Sequence, residues 1–135
     1  MKKIKYFLLI NTFFIISCHY TDDKLIIKNN SQNEICYETL IKSKKKYDQI
    51  SGGGKIKING SESPSVRSSI SKEINENSSN KILYIVYYNF EDLQFVNNNL
   101  NTIVNNKKFK VDKYSLKELD SMNWVVSYPR NAKIK

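Results

Sequence analysis

The run Ile82-Leu-Tyr-Ile-Val-Tyr-Tyr88 constrains this chain more than any other stretch. In extended chain, Ile82, Tyr84, Val86 and Tyr88 point to one side, and Leu83, Ile85 and Tyr87 to the other. The run is too short for a buried helix and is rich in β-branched and aromatic residues, so it reads as a strand. A strand that is apolar on both sides must be covered on both sides. Any fold of this chain therefore needs this strand at the centre of a sheet, with a layer packed on each face.

The flanking sequence supplies the neighbours. Residues 24–29 read as a strand stopped by Asn29-Asn30-Ser31. Residues 34–41 read as a second strand, with Ile35, Tyr37 and Thr39 on one face and Cys36, Glu38 and Leu40 on the other; the spacing predicts a hairpin between the two. Residues 42–54, with a lysine run and three glycines, read as a loop, and 55–59 alternate like a half-buried strand. Ser63-Pro64 predicts an N-cap and first helical position, with Val66, Ile70 and Ile74 as the apolar stripe. Leu93, Val96, Leu100, Ile103 and Val104 have helical spacing. Residues 109–114 alternate, Ser115-Leu-Lys-Glu118 has the form of a capping box, and 124–128 form a closing strand stopped by Pro129.

The N-terminus carries a different message. Basic Met1-Lys-Lys-Ile-Lys5 precedes an apolar run over 6–16. As a helix that run spans about 16 Å, against about 30 Å of hydrocarbon, so it is too short to cross a bilayer. Its charged, apolar, small-residue order is that of a secretory signal. The ending Ile15-Ile16-Ser17-Cys18 resembles a bacterial lipoprotein signal. The resemblance implies cleavage before Cys18, a diacylglyceryl group on its sulfur, and an envelope protein held by acyl chains. The expected division is a signal at 1–17, a lipidated tether at 18–23, one globular domain at 24–129 and a loose tail at 130–135. A tether of five extended residues reaches at most about 17 Å.

A second resemblance lies near the other end. Tyr114-Ser-Leu116-Lys-Glu-Leu119-Asp-Ser-Met-Asn123-Trp124-Val-Val126-Ser-Tyr128-Pro129 is similar to the closing segment of small uncharacterised lipoproteins of Bacteroidota, and 81–92 resembles the matching part of that group. The resemblance implies a diderm envelope and favours the outer membrane. It implies no activity.

Several chemistries are short of residues. The one histidine, His19, sits beside the expected anchor. Histidine-dependent nucleophilic catalysis and zinc sites built on histidine and cysteine thus lack their parts in the domain. With Cys18 acylated, Cys36 has no partner for a disulfide within the chain and reads as a buried structural thiol. The carboxylates Glu91 and Asp92, and Glu118 and Asp120, could serve acid–base chemistry, but helix-start roles explain them. Ser51-Gly-Gly-Gly-Lys55 lacks phosphate-loop spacing. Trp124, Tyr128, Tyr84, Tyr88 and Phe109 read as core, and Tyr37, Tyr47 and Tyr87 as a patch for a partner.

The chain carries 22 Lys and Arg against 13 Asp and Glu, a net charge of +9, of which Lys2, Lys3 and Lys5 belong to the signal. On an exported protein the reachable anions are lipid headgroups and acidic glycans rather than nucleic acid. Lys42, Lys44, Lys45 and Lys46 are the candidate contacts. The expectation is one α+β domain, dominated by an antiparallel sheet that could close into a small sandwich, with two or three short helices and no cofactor or metal. Its expected role is a lipid-anchored, non-enzymatic interaction or structural module. A surface ligand- or glycan-binding lipoprotein is the alternative, and a carboxylate-dependent hydrolase the third reading.

Overall fold

In the computed structural model, which describes residues 21–92 and 99–130, the chain forms an α+β domain with two mostly antiparallel sheets. The strands are β1 (Ile26–Asn29), β2 (Ile35–Ser43), β3 (Lys46–Gln49), β4 (Gly54–Ile56), β5 (Ser61–Glu62), β6 (Ile82–Tyr88), β7 (Lys110–Ser115) and β8 (Val125–Tyr128). The helices are α1 (Ile70–Lys72), continued by a π turn at Glu73–Asn77, then α2 (Leu100–Asn105) and α3 (Leu116–Ser121).

The larger sheet has the order β3-β2-β6-β7, and β4 pairs with the first part of β2 on the edge that β3 uses further along. The doubly apolar run is β6, hydrogen-bonded on both edges and buried from Leu83 to Tyr88. Its two faces go where the alternation put them. Leu83, Ile85 and Tyr87 join Ile35, Tyr37 and Ile41 of β2 under the smaller sheet, α1 and α3. Tyr84, Val86 and Tyr88 join Cys36, Leu40, Phe109 and Ile103 of α2 on the opposite face.

The smaller sheet, β5-β1-β8, corrects the expected hairpin. β1 does not fold back on β2. It pairs antiparallel with β5 and parallel with β8, from Ile26↔Val125 to Asn29↔Tyr128. Asn29 is the reason. Its fully buried amide donates to the carbonyls of Asn33 (2.7 Å), Ile56 (3.1 Å) and Lys57 (3.2 Å), and accepts from Ser31 N–H and Oγ. These bonds carry the chain from one sheet to the other instead of closing a hairpin.

Three more expectations change. Residues 42–54 are not a loop: β2 and β3 form a hairpin about the two-residue turn Lys44-Lys45, and β4 begins at Gly54. Of the expected 55–59 strand only residues 55 and 56 pair, within β4. Ser63-Pro64 does not start a helix. Val66 is buried in an isolated bridge to Asp22, and α1 begins after Ser69, whose side chain makes no cap. Asp22 caps it instead, since the buried Ile70 N–H donates to Asp22 Oδ2 at 2.8 Å. Asp22 was expected on the tether and is itself buried.

The capping box of α3 forms as expected. Ser115 Oγ accepts from Glu118 N–H at 3.3 Å, and Glu118 Oε2 accepts from Ser115 N–H at 2.9 Å. In the helix expected over 93–104, α2 covers Leu100, Ile103 and Val104 with an Asn99 cap, whereas Leu93 and Val96 lie outside the described residues.

Candidate binding surfaces

β2 fixes the layout of both candidate surfaces. Its nine residues span about 30 Å. One end carries the Lys44-Lys45 turn; at the other, Cys36 lies between Lys55 of β4 and Tyr88 of β6.

At the hairpin end the turn is made without glycine: Lys44 takes a left-handed backbone (φ 44°). Lys44, Lys45 and Lys46 are exposed and line a cleft of about 740 Å³ against Asn77, Ser78 and Lys81. Lys81 comes from a turn far along the sequence, also with positive φ, and its Nζ donates to Asn75 O. Glu76 is the one carboxylate lining this cleft, and it pairs with Lys72 at 3.8 Å. Lys46 pairs with Asp48 at 3.1 Å; the hydrogen bond from Ser43, then Lys46, holds the Asp48 carboxyl below its ordinary range. Lys42 is set apart. It is half-buried, with Nζ 5.9 Å from the Tyr47 ring centroid. The structure thus gathers three of the four lysines picked from sequence and adds Lys81, which local sequence did not mark.

The first described residues connect to this side of the molecule through Val66. Asp22 N–H donates to Val66 O at 2.9 Å, and Val66, Arg67 and Ser68 share a second cleft, again of about 740 Å³, with Ser43 and Asp48 of the hairpin. Ser43 and Asn77 line both clefts. Cys18 itself lies outside the described residues.

The opposite end holds a smaller cleft, about 370 Å³, that sequence reasoning missed. At its base is Glu38, 7% exposed, which accepts from Tyr88 Oη at 3.2 Å and from Gln49 Nε2. Burial pushes its carboxyl pKa up, against the pull of those two donors. At the rim Phe90 is 60% exposed, with Lys55 Nζ 4.9 Å from its ring centroid and 2.6 Å from Glu34. The glycines have a local role here. A Cβ on Gly53 would overlap the Glu38 carboxylate, and one on Gly54 the Tyr37 ring. A signal was available: a glutamate on the same strand face as Cys36 and Leu40, opposite an apolar strand, is a buried carboxylate in waiting.

The remaining sequence candidates have structural surroundings. Burial, more than any neighbouring charge, raises the Cys36 thiol pKa, which lowers its thiolate fraction at neutral pH. Glu118 holds the capping box and meets Arg130 at 3.3 Å, and Asp120 accepts from Trp124 Nε1 at 2.8 Å. Glu91 and Asp92 lie on a 3-10 turn, Phe90–Asp92. The tyrosine patch is a correction. Tyr37 and Tyr87 are core residues, and Tyr47 packs edge-on to Tyr84, so the three do not form a surface. Trp124, Tyr84, Tyr88 and Phe109 are buried as expected, and Tyr128 is half-buried against Tyr87. Among the described residues no group of histidine, cysteine and carboxylates is arranged to hold a metal, and no helix is long and apolar enough to cross a membrane. Comparison with protein-family models, curated proteins and solved structures returned no match.

Proposed function

We propose that this protein is a lipid-anchored, non-enzymatic module of the bacterial envelope, tethered through Cys18, whose lysine hairpin docks it on anionic headgroups of the membrane that holds it. The observation that carries the reading is the shared end. Val66, the bridge partner of Asp22, lines a cleft that reaches Ser43 and Asp48 of the hairpin, and Asn77 joins that cleft to the basic one. With Asp22 held in the fold, four Cα-to-Cα steps separate it from Cys18, at most about 14 Å of extended chain. That is within two Debye lengths, about 16 Å, at physiological salt. Each lysine held at an anionic surface contributes about 1 kcal/mol, so Lys44, Lys45, Lys46 and Lys81 together offer about 4 kcal/mol. At physiological salt this energy holds a free protein only weakly but is enough to orient an anchored one, and the attraction grows as salt is lowered.

The test uses a chain beginning at Thr21, without the anchor, and flotation with vesicles. Co-flotation with phosphatidylglycerol vesicles at low salt is expected, with none on phosphatidylcholine and progressive loss as salt is added. Replacing the four lysines by glutamine removes it. Absence of flotation at low salt, or flotation that survives the four replacements, contradicts the docking reading.

A further inference from the structure

The end of the sheet remote from the lysines carries a site that membrane docking leaves unused. We propose that the cleft between Glu38 and Phe90 binds a neutral saccharide, one sugar ring packing on Phe90 while its hydroxyls donate to the Glu38 carboxylate. The cleft, about 370 Å³, is of the size that takes a small ligand, and it combines an apolar wall with a few convergent polar groups.

Glu38 is built for such a contact. A carboxylate has about four lone-pair sites. Tyr88 occupies one on Oε1 and Gln49 one on Oε2, so each oxygen retains acceptor capacity while the group is held in one orientation. Two donors fixing a buried carboxylate is the support that a recognition group requires. The glycine backbone at Gly53 passes so close that any side chain there would strike the carboxylate. Phe90 supplies the other half of a sugar site, an aromatic ring left exposed at the rim.

Charge selects the ligand class. A cationic ligand would compete with Lys55, which already sits over the Phe90 ring and neutralises Glu34. An anionic ligand would meet the Glu38 carboxylate. A neutral polyol brings no charge against Lys55 or Glu38, packs on the part of the Phe90 ring that Lys55 leaves exposed, and gains the Lys55 ammonium as a donor. Glu38 lies six residues, about 20 Å, along the strand from Lys44, so a ligand there leaves the hairpin lysines free.

The experiment is saturation-transfer NMR on the full chain in detergent micelles, with maltotetraose, cellotetraose and chitotetraose as probes at millimolar concentration. Transfer to at least one probe is expected, strongest on the ring C–H protons that meet Phe90. Phe90→Ala, at an exposed position, weakens binding about tenfold, and Glu38→Gln weakens it while the fold is retained. The variant with Lys44, Lys45, Lys46 and Lys81 all changed to glutamine binds as the parent does. No transfer to any of the three probes, or an affinity unchanged in Phe90→Ala, overturns the assignment.

Discussion

Asp22 is the sharpest place to perturb, because its side chain caps α1 while its backbone holds the bridge to Val66. Asp22 Oδ2 accepts from the Ile70 N–H at 2.8 Å, and Oδ1 from Lys24 N–H at 3.0 Å. Ile70 is fully buried, so Asp22→Ala leaves its N–H without a partner. Loss of a cap costs about 1 kcal/mol, and orphaning a buried donor that bonded to a charge about 1–3 kcal/mol. These describe overlapping parts of one bond, so the expected loss is about 2 kcal/mol, or about 8 °C in Tm for a domain of this size. Asp22→Asn keeps an acceptor and costs less than about 1 kcal/mol; Asp23→Ala, at the exposed neighbour, changes stability by less than about 0.5 kcal/mol. Urea unfolding followed by Trp124 fluorescence gives all three. If Asp22→Ala matches Asp23→Ala, Asp22 does not hold the start of α1, and the estimate of the anchor's reach fails with it.

Other perturbations follow from the same contacts. Asn29→Ala removes the amide that bridges the sheets and leaves the buried Ile56 carbonyl, two part-buried carbonyls and a turn unsupported, so a loss of about 2–4 kcal/mol is expected in urea unfolding. Trp124→Ala costs about 3–5 kcal/mol, and the native protein shows blue-shifted emission, because the indole is buried and bonded to Asp120; red-shifted native emission refutes that placement. The raised pKa of Glu38 means the folded state holds that proton more tightly than the unfolded chain. Its contribution is fully present below the ordinary carboxylate pKa and is lost as pH rises through the raised one. Glu38→Gln should therefore flatten the fall in stability as pH rises above the ordinary carboxylate range, measured by urea midpoints, with Asp112, raised by burial too, leaving a residual slope of the same sign. Cys36 should react with a maleimide only on unfolding; rapid native labelling is the contrary result.

What the sequence revealed was what alternation and local signals encode. The two faces of Ile82–Tyr88, the facing of β2 and the capping box at Ser115 all follow from periods and spacings within a few residues. What it hid was decided at a distance. The Lys44-Lys45 turn has no Asn-Gly or Gly signal, so its hairpin is set by the register of β3 on β2 rather than by turn chemistry. The Val66, Ile70, Ile74 stripe marked three buried residues correctly. It could not show that Val66 bridges Asp22 across more than forty positions, nor that Asp22 would cap Ile70. Lys81 joined the lysine cleft by the same kind of long-range closure. Glu38 differs, since its buried face was legible, and its chemistry emerged only once Tyr88, Gln49 and Gly53 were placed around it.

Under the proposed docking, the lipidated domain stands with its lysine hairpin toward the bilayer. A fluorophore at Asn77→Cys, beside the basic cleft, and one at Asn89→Cys, next to Phe90, report the two ends without altering a lysine; the buried Cys36 stays unlabelled. With the lipidated protein in anionic vesicles that carry a headgroup quencher, the account predicts strong quenching at position 77, little at 89, and a contrast that fades as salt rises. Equal quenching at both positions at low salt, or stronger quenching at 89, contradicts it.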